Sequence, residues 1–367
     1  DVLTSRGLGD VYKRQLLIVK SAGVSAMDRI LEIGGYSAGF CGRLYAQAGH
    51  QVTRVESPQP PAWASQQAMS LFLHPGKRRV HADAAPLDEL AAAADIVIIE
   101  AATADAALAL GFEHWSTPVK VVITPFGLTG PKRNWHATPS TLLAMGGYSQ
   151  IIGDAGRAPL SLPGHYVEFQ GAQFAYSAAN GCRFAGASNV VDISLYECLL
   201  TLSQFTTVMW SCANRIRSRH GSDFYWVVPS NLFACADGWV YINTVPTFWD
   251  AMTTFLQLPE LIIDARFTDN DLRMQHRDAL HELIAQALAT VSKAEIRERA
   301  IAARIPAGVV LTFDEVLEDE HLGERNFWQS IEDTDGRHYR APSLGFCIDG
   351  RARAPMTLQK VAPERSV

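Results

Sequence analysis

RILEIGGYSAGFCGRLYAQAGHQVTRVESP, residues 29–58, decides the fold. Residues 28–35 read as a short apolar strand that ends in two glycines. Residues 37–49 put Phe40, Leu44 and Ala48 on one helical face, and Gly49 stands where a helix C-cap belongs. HQVTRVE, 50–56, alternates as a strand does. Strand, helix and strand within about 30 residues make a βαβ unit.

The theme repeats outward from there. LDELAAAA (87–94) is helical, and DIVIIEA (95–101) and VKVVITPFG (119–127) are apolar enough to be buried strands. TLLAMGGYSQIIG (141–153) reads as a short helix ended by paired glycines. A long helix runs from Glu168 to about Gly181, and 190–210 read as a strand followed by a long apolar helix. After about residue 221 the composition changes. Residues 224–245 read as a hairpin with ADG as its turn, two helices follow near 247–257 and 277–290, and GVVLTF (308–313) is a strand. Ser292 with Glu295 three residues on has the form of a capping box. The expected fold class is α/β: a Rossmann-like large domain with a parallel sheet plus a smaller α+β domain.

Composition narrows the function classes. The chain has 367 residues, 48% hydrophobic and 19% charged, and a net charge of −6. Nothing global in it favours nucleic acid or an anionic membrane, and no apolar run reaches the ~18 residues of a spanning helix. Cys41, Cys182, Cys198, Cys212, Cys235 and Cys347 are scattered, without CxxC pairs or metal-ligand spacing. They read as reduced, mainly structural thiols of a cytoplasmic protein, and no metal is expected. Residues 1–15 lack a starting Met and a signal-peptide pattern, and read as a non-native scar. The end, KVAPERSV, stops without a terminal element, so a fragment of something longer is expected.

Familiar site motifs are missing. GGYSAGFCG (34–42) has glycines without GxGxxG spacing, and neither a P-loop nor a GxSxG elbow occurs. The first βα turn can still offer N–H groups to an anion. HPGKRRVHAD (74–83) carries three cations in a row: a solvated charge run, or a phosphate clamp. His136 and His165 have no sequence partner that marks them as catalysts. Glu168 lies in the first turn of its helix, where the dipole favours a carboxylate by roughly 0.3–1 kcal/mol. That suffices to explain it, although a carboxylate can also attack an acyl carbonyl.

The order of these pieces resembles the family III CoA-transferases (CaiB/BaiF), the formyl-CoA transferase and carnitine CoA-transferase group. The resemblance spans about 28–348. It is carried by residues 29–58, PGKRRVHAD, VVITPFGLTGPKRNW (121–135), MGGYSQIIGDAGRAPLSLPGHYVEFQGAQFA (145–175), ACADGWVYIN (234–243) and RIPAGVVLTFDEVLEDEHLGERNFW (304–328). It implies a large domain built from both chain ends, here 16–215 and 323–367, around a small domain at 216–322. It implies two interlocked subunits, and CoA moved from an acyl-CoA donor to a carboxylate acceptor with no tightly bound cofactor. The family's nucleophilic aspartate aligns with Glu168. By the same resemblance Ser37, Ala38 and Gly39 approach CoA, Lys77 and Arg78 lie near its phosphates, His136 belongs to the CoA-binding set, and Gly146 and Gly147 are candidate oxyanion donors.

Several family features are replaced. Glutamate stands for aspartate at 168, EAATAD (100–105) for a glycine-proline turn, HATPS (136–140) for a segment with an aspartate, and YWVVPSN (225–231) for a glycine-rich flap. Three readings stay open at this stage. The first is a transferase using Glu168, and the second a non-catalytic, CoA-binding or structural half of a tandem protein. The third, an acyl-CoA racemase, ranks last because no aspartate follows His136.

Overall fold

In the computed structural model the described residues are 27–57, 67–83, 86–224, 226–347 and 355–362. The scar expected at 1–15 lies outside them, as do Tyr225 and the last residues of the chain. The described residues up to Gly146, Pro163–Thr207 and those from Gly323 onward form one compact unit; Gly147–Leu162 and Val208–Leu322 form another.

The first unit is built on a seven-stranded sheet. Its strands are β1 (Arg29–Ile33), β2 (Gln51–Glu56), β3 (Arg78–His81), β4 (Ile96–Glu100), β5 (Val119–Thr124) and β6 (Asn189–Ser194), with a late edge strand named below. Every pairing is parallel. The expected Rossmann-like sheet is therefore present. Its central strands are buried because helices cover a parallel sheet, and Ile96–Ile99 and Val121–Ile123 are fully or almost fully buried. From β1 the chain steps outward to β2 and β3, then returns to β4 on the other side of β1 and continues to β5 and β6. The sheet order thus reverses between β1 and β4, and in open α/β sheets ligand crevices form at the carboxyl ends of such strands.

The helices of this unit are α1 (Tyr36–Gln47), α2 (Gln67–Leu73), α3 (Leu87–Ala92), α4 (Ala104–Leu108), α5 (Pro139–Met145), α6 (Tyr166–Ala185) and α7 (Leu195–Thr201). α1 ends as expected, with Ala48 as C-cap and Gly49 at φ +93°. α5 begins two residues earlier than expected because Thr138 caps it and Pro139 fits its first turn. The paired glycines fall between α5 and a further short helix, Tyr148–Ile151, rather than after one continuous helix. The long apolar helix expected after β6 breaks at Leu202 and resumes at Gln204. α1 and α6 pack through Phe40–Phe169 and Tyr45–Tyr176, with ring centroids 4.4 and 4.6 Å apart. Gly171 lets Leu195 close on α6, since a Cβ there would stand 2.2 Å from Leu195 Cδ2.

The second unit carries an antiparallel sheet of β7 (Ser230–Cys235), β8 (Gly238–Asn243) and β9 (Ala307–Val309). The expected hairpin is there, turning at Ala236–Asp237. Helices α8 (Trp249–Leu256), α9 (Arg277–Leu288) and α10 (Lys293–Ala303) bury Phe255, Ile284, Leu288 and Ile296 against it. The capping box expected at Ser292 is half made: the serine accepts from the Glu295 N–H, but the Glu295 carboxylate pairs with Arg299 one turn on. A complete box forms instead at Thr312 and Glu315.

In the first unit, β10 (Trp328–Glu332) pairs antiparallel with β11 (His338–Pro342) and parallel with β12 (Met356–Thr357). β13 (Val361–Ala362) then joins the outer edge of the main sheet beside β3. Cys41 and Cys198 are buried, whereas Cys212 and Cys347 are exposed.

Candidate active site

A buried charge network first fixes the turn after β1. Glu32, with no exposed surface, lies between the Arg54 guanidinium and Lys77 Nζ at 2.6 Å. Arg54 and Arg79 share Glu56. Lys77 Nζ also donates to the Gly39 carbonyl at 2.7 Å, tying α1 to β3. Burial draws the Lys77 ammonium down to about 8, against the pull of Glu32. The three-cation run is thus split. Lys77 is committed inside the protein and cannot reach a phosphate, Arg79 is paired, and Arg78 is exposed.

The second feature is a carboxylate beneath that turn. Glu100, at the end of β4, accepts from the Ala38 N–H at 2.9 Å, and the Ser37 N–H bonds to it as well. A Cβ at Gly34, which has φ +135°, would stand 2.6 Å from Glu100 Cβ. The glycines of the first turn therefore make room for Glu100. The α1 amides expected to face an anion hold one from their own chain. Ser37, Ala38 and Gly39 are buried, and the Gly39 N–H is spent on the Gly35 carbonyl. Burial pushes the Glu100 carboxyl up to about 7, and the charge of Glu168 adds to this; the amide bonds work the other way. Sequence reasoning missed Glu100. The signal was there: a carboxylate ending a buried strand of four aliphatic residues.

Glu168 is at N3 of α6, after His165 as N-cap. It is 7% exposed. His165 Nδ1 stands 3.2 Å from Glu168 Oε1. An ionised carboxylate only accepts, so this bond requires a proton on Nδ1. The His165 ring packs tilted against Tyr36, centroids 4.0 Å apart and planes 31° apart, which holds it in place. Glu168 Oε2 is buried and has no hydrogen-bond partner.

Glu100 and Glu168 line one cavity of about 280 Å³, together with Gly35, Thr124, Thr138 and Leu195. It opens at the carboxyl ends of β1, β4 and β5, the switch point of the sheet. Its described lining contains two carboxylates and no cation. Such a cavity can present an unshielded carboxylate oxygen to an electrophile. Among the described residues no group of three or more His, Cys, Asp or Glu side chains could hold a metal ion.

The remaining expected site residues lie elsewhere. His136 is exposed on the loop before α5, next to Ala137 and Thr138, which line the cavity. The Gly146 N–H closes the last turn of α5 on the Leu142 carbonyl at 2.8 Å, so it cannot serve an oxyanion. Gly147, at φ +80°, is exposed and belongs to the second unit. Among the described residues no helix is long and apolar enough to cross a membrane.

The profile of CoA-transferase family III matches residues 28–365. The chain is 29% identical, over 84% of its length and 83% of the relative's, to the succinyl-CoA–D-citramalate CoA-transferase of Chloroflexus aurantiacus. It is 23% identical, over 57% of its length, to the alpha subunit of the succinyl-CoA–L-malate CoA-transferase of the same organism; that match spans 51% of the subunit. A solved CaiB/BaiF family protein from Brucella suis shares the fold, with a TM-score of 0.79 at 20% identity over 92% of this chain and 96% of that one.

Proposed function

The chain belongs to CoA-transferase family III, and we propose that it moves CoA from an acyl-CoA donor to a carboxylate acceptor with Glu168 as the nucleophile. The observation that carries this is the free Oε2 of Glu168: a buried, unpartnered carboxylate oxygen in a cavity at the sheet's switch point. A buried polar atom left unpaired costs stability, and a role in chemistry accounts for its retention.

The steps balance without a net proton. Oε2 attacks the thioester carbonyl, the C–S bond breaks, and CoA leaves as thiolate. The mixed anhydride of the acyl group and Glu168 is attacked by that thiolate at Glu168 Cδ. The donor acid departs as carboxylate, and a Glu168–CoA thioester remains. The acceptor carboxylate attacks this thioester and expels the thiolate, which then attacks the acceptor's carbonyl and frees Glu168. His165 supports the first step by holding Oε1 and leaving Oε2 to react. Glutamate is chemically competent for this step, since its carboxylate is the same nucleophile on a side chain one methylene longer. For CoA itself, the exposed Arg78 is the phosphate contact we favour, with the exposed His136 along its course; Ser37–Gly39, buried against Glu100, shape the turn without touching it.

Similarity to the D-citramalate enzyme makes succinyl-CoA the first donor to test, beside uncharged acyl-CoAs. Intact-protein mass spectrometry after incubation with this panel, with hydroxylamine trapping and Glu168→Ala as control, tests the reading. A Glu168-dependent CoA thioester or hydroxamate is expected. Binding of CoA without an adduct overturns the nucleophile and favours a non-catalytic half. We also propose an interlocked pair of chains, for which light scattering should give twice the chain mass.

A further inference from the structure

Acyl transfer at Glu168 creates a second need. When Oε2 attacks, the thioester carbonyl oxygen becomes an oxyanion, and a donor must face it. The glycine amide expected for this, at Gly146, is used inside α5. The cavity offers no cation among its described lining residues.

It does offer one unpartnered hydroxyl. Thr124 ends β5, has no exposed surface, and lines the same cavity as Glu168. Its Oγ1 has no hydrogen-bond partner in the protein. Of the buried side-chain atoms left unpartnered among the described residues, only Thr124 Oγ1 and Glu168 Oε2 belong to this lining. One is a carboxylate oxygen with nothing donating to it; the other is a hydroxyl with no acceptor. The other hydroxyl of the lining, on Thr138, is engaged at the N-terminus of α5, where it donates to Thr141 Oγ1 and accepts from the Thr141 N–H. An unpaired buried hydroxyl persists at a cost, and a valine of the same shape would avoid that cost.

We infer that Thr124 is a catalytic residue whose hydroxyl donates to the acyl carbonyl oxygen as Glu168 attacks. This rests on the Glu168 reading. In the tetrahedral intermediate the oxygen carries the negative charge, and the bond to Oγ1–H strengthens as that charge develops. No proton is transferred. The hydroxyl stands at a strand end, so its position is held by the sheet rather than by a loop.

The test compares Thr124→Val, Thr124→Ala and Thr124→Ser with the wild type, by the rate of Glu168 adduct formation and by Tm. Loss of one oxyanion donor costs on the order of 100-fold in rate. The expected result is that drop in Thr124→Val and Thr124→Ala, with most of the rate regained in Thr124→Ser. Thr124→Val should match or exceed the wild-type Tm, because it removes an unsatisfied hydroxyl without opening a hole. Wild-type adduct formation with Thr124→Val equally fast overturns this inference alone. Slow acylation in all three variants, tracking a fall in Tm, also overturns it, because the hydroxyl would then be structural. Absence of an adduct in the wild type overturns both this inference and the reading beneath it.

Discussion

His165 Nδ1 and Glu168 Oε1 stand 3.2 Å apart, one turn along the start of α6, with the other carboxylate oxygen left unpartnered in the cavity. The histidine thus distinguishes two otherwise equivalent oxygens. His165→Ala removes the donor and lets the carboxylate rotate. Adduct formation should slow about tenfold, and His165→Asn, which keeps a donor near the Nδ1 position, should regain part of the loss. Equal rates in His165→Ala and wild type would mean that the contact only caps the helix.

Glu168→Asp tests reach. Shortening the side chain withdraws the carboxylate by roughly 1 Å and breaks the His165 contact, a misplacement that can cost ~100-fold. Adduct formation should fall by that order, and Glu168→Gln should form none. Wild-type rates in Glu168→Asp would show that the cavity is indifferent to the longer side chain.

Glu100 makes stability depend on pH. Its folded-state value, about 7, lies above the ordinary 4.5. The native protein therefore holds this proton more tightly than the unfolded chain. The group imposes no penalty below pH 4.5, an increasing one as pH rises toward 7, and a constant one above. Glu100→Gln keeps an acceptor for Ala38 and removes the penalty. It should be more stable than wild type at pH 8, by on the order of 1–3 kcal/mol, and indistinguishable near pH 4. A difference that stays constant from pH 5 to 8 contradicts this.

Glu32 neutralises two buried cations, Arg54 and Lys77. Glu32→Ala leaves Lys77 without a carboxylate and Arg54 with only the Glu56 it shares with Arg79, and the expected loss is about 3–5 kcal/mol in denaturant unfolding. Gly42→Ala should also be strongly destabilising, because its Cβ would fall 1.8 Å from Glu32 Oε2, inside the network. A loss below 1 kcal/mol in Glu32→Ala would show that water relieves the charges.

The sheet was legible because its signal is local. IVII ahead of Glu100 and VVI ahead of Thr124 are apolar runs, as strands covered on both faces must be, and Gly49 marks a helix end by its backbone freedom alone. The KRR run shows where local reading stops. Read as one run it is a surface feature. Read with strand alternation, Lys77 and Arg79 face one way and Arg78 the other, and the buried Glu32 and Glu56 claim the first pair.

By itself the sequence determined the βαβ order, the parallel sheet, and a carboxylate in the first turn of a long helix. These follow from periodicity and propensity, which act between neighbours. Only the tertiary structure decided that Glu100 takes the α1 amides 62 residues away, that Lys77 is buried rather than solvated, and that Thr124 and Glu168 share one cavity. Those outcomes depend on which strand ends meet at the reversal between β1 and β4. Desolvation and pairing there are set by groups far apart in the chain, and no window of sequence contains both partners.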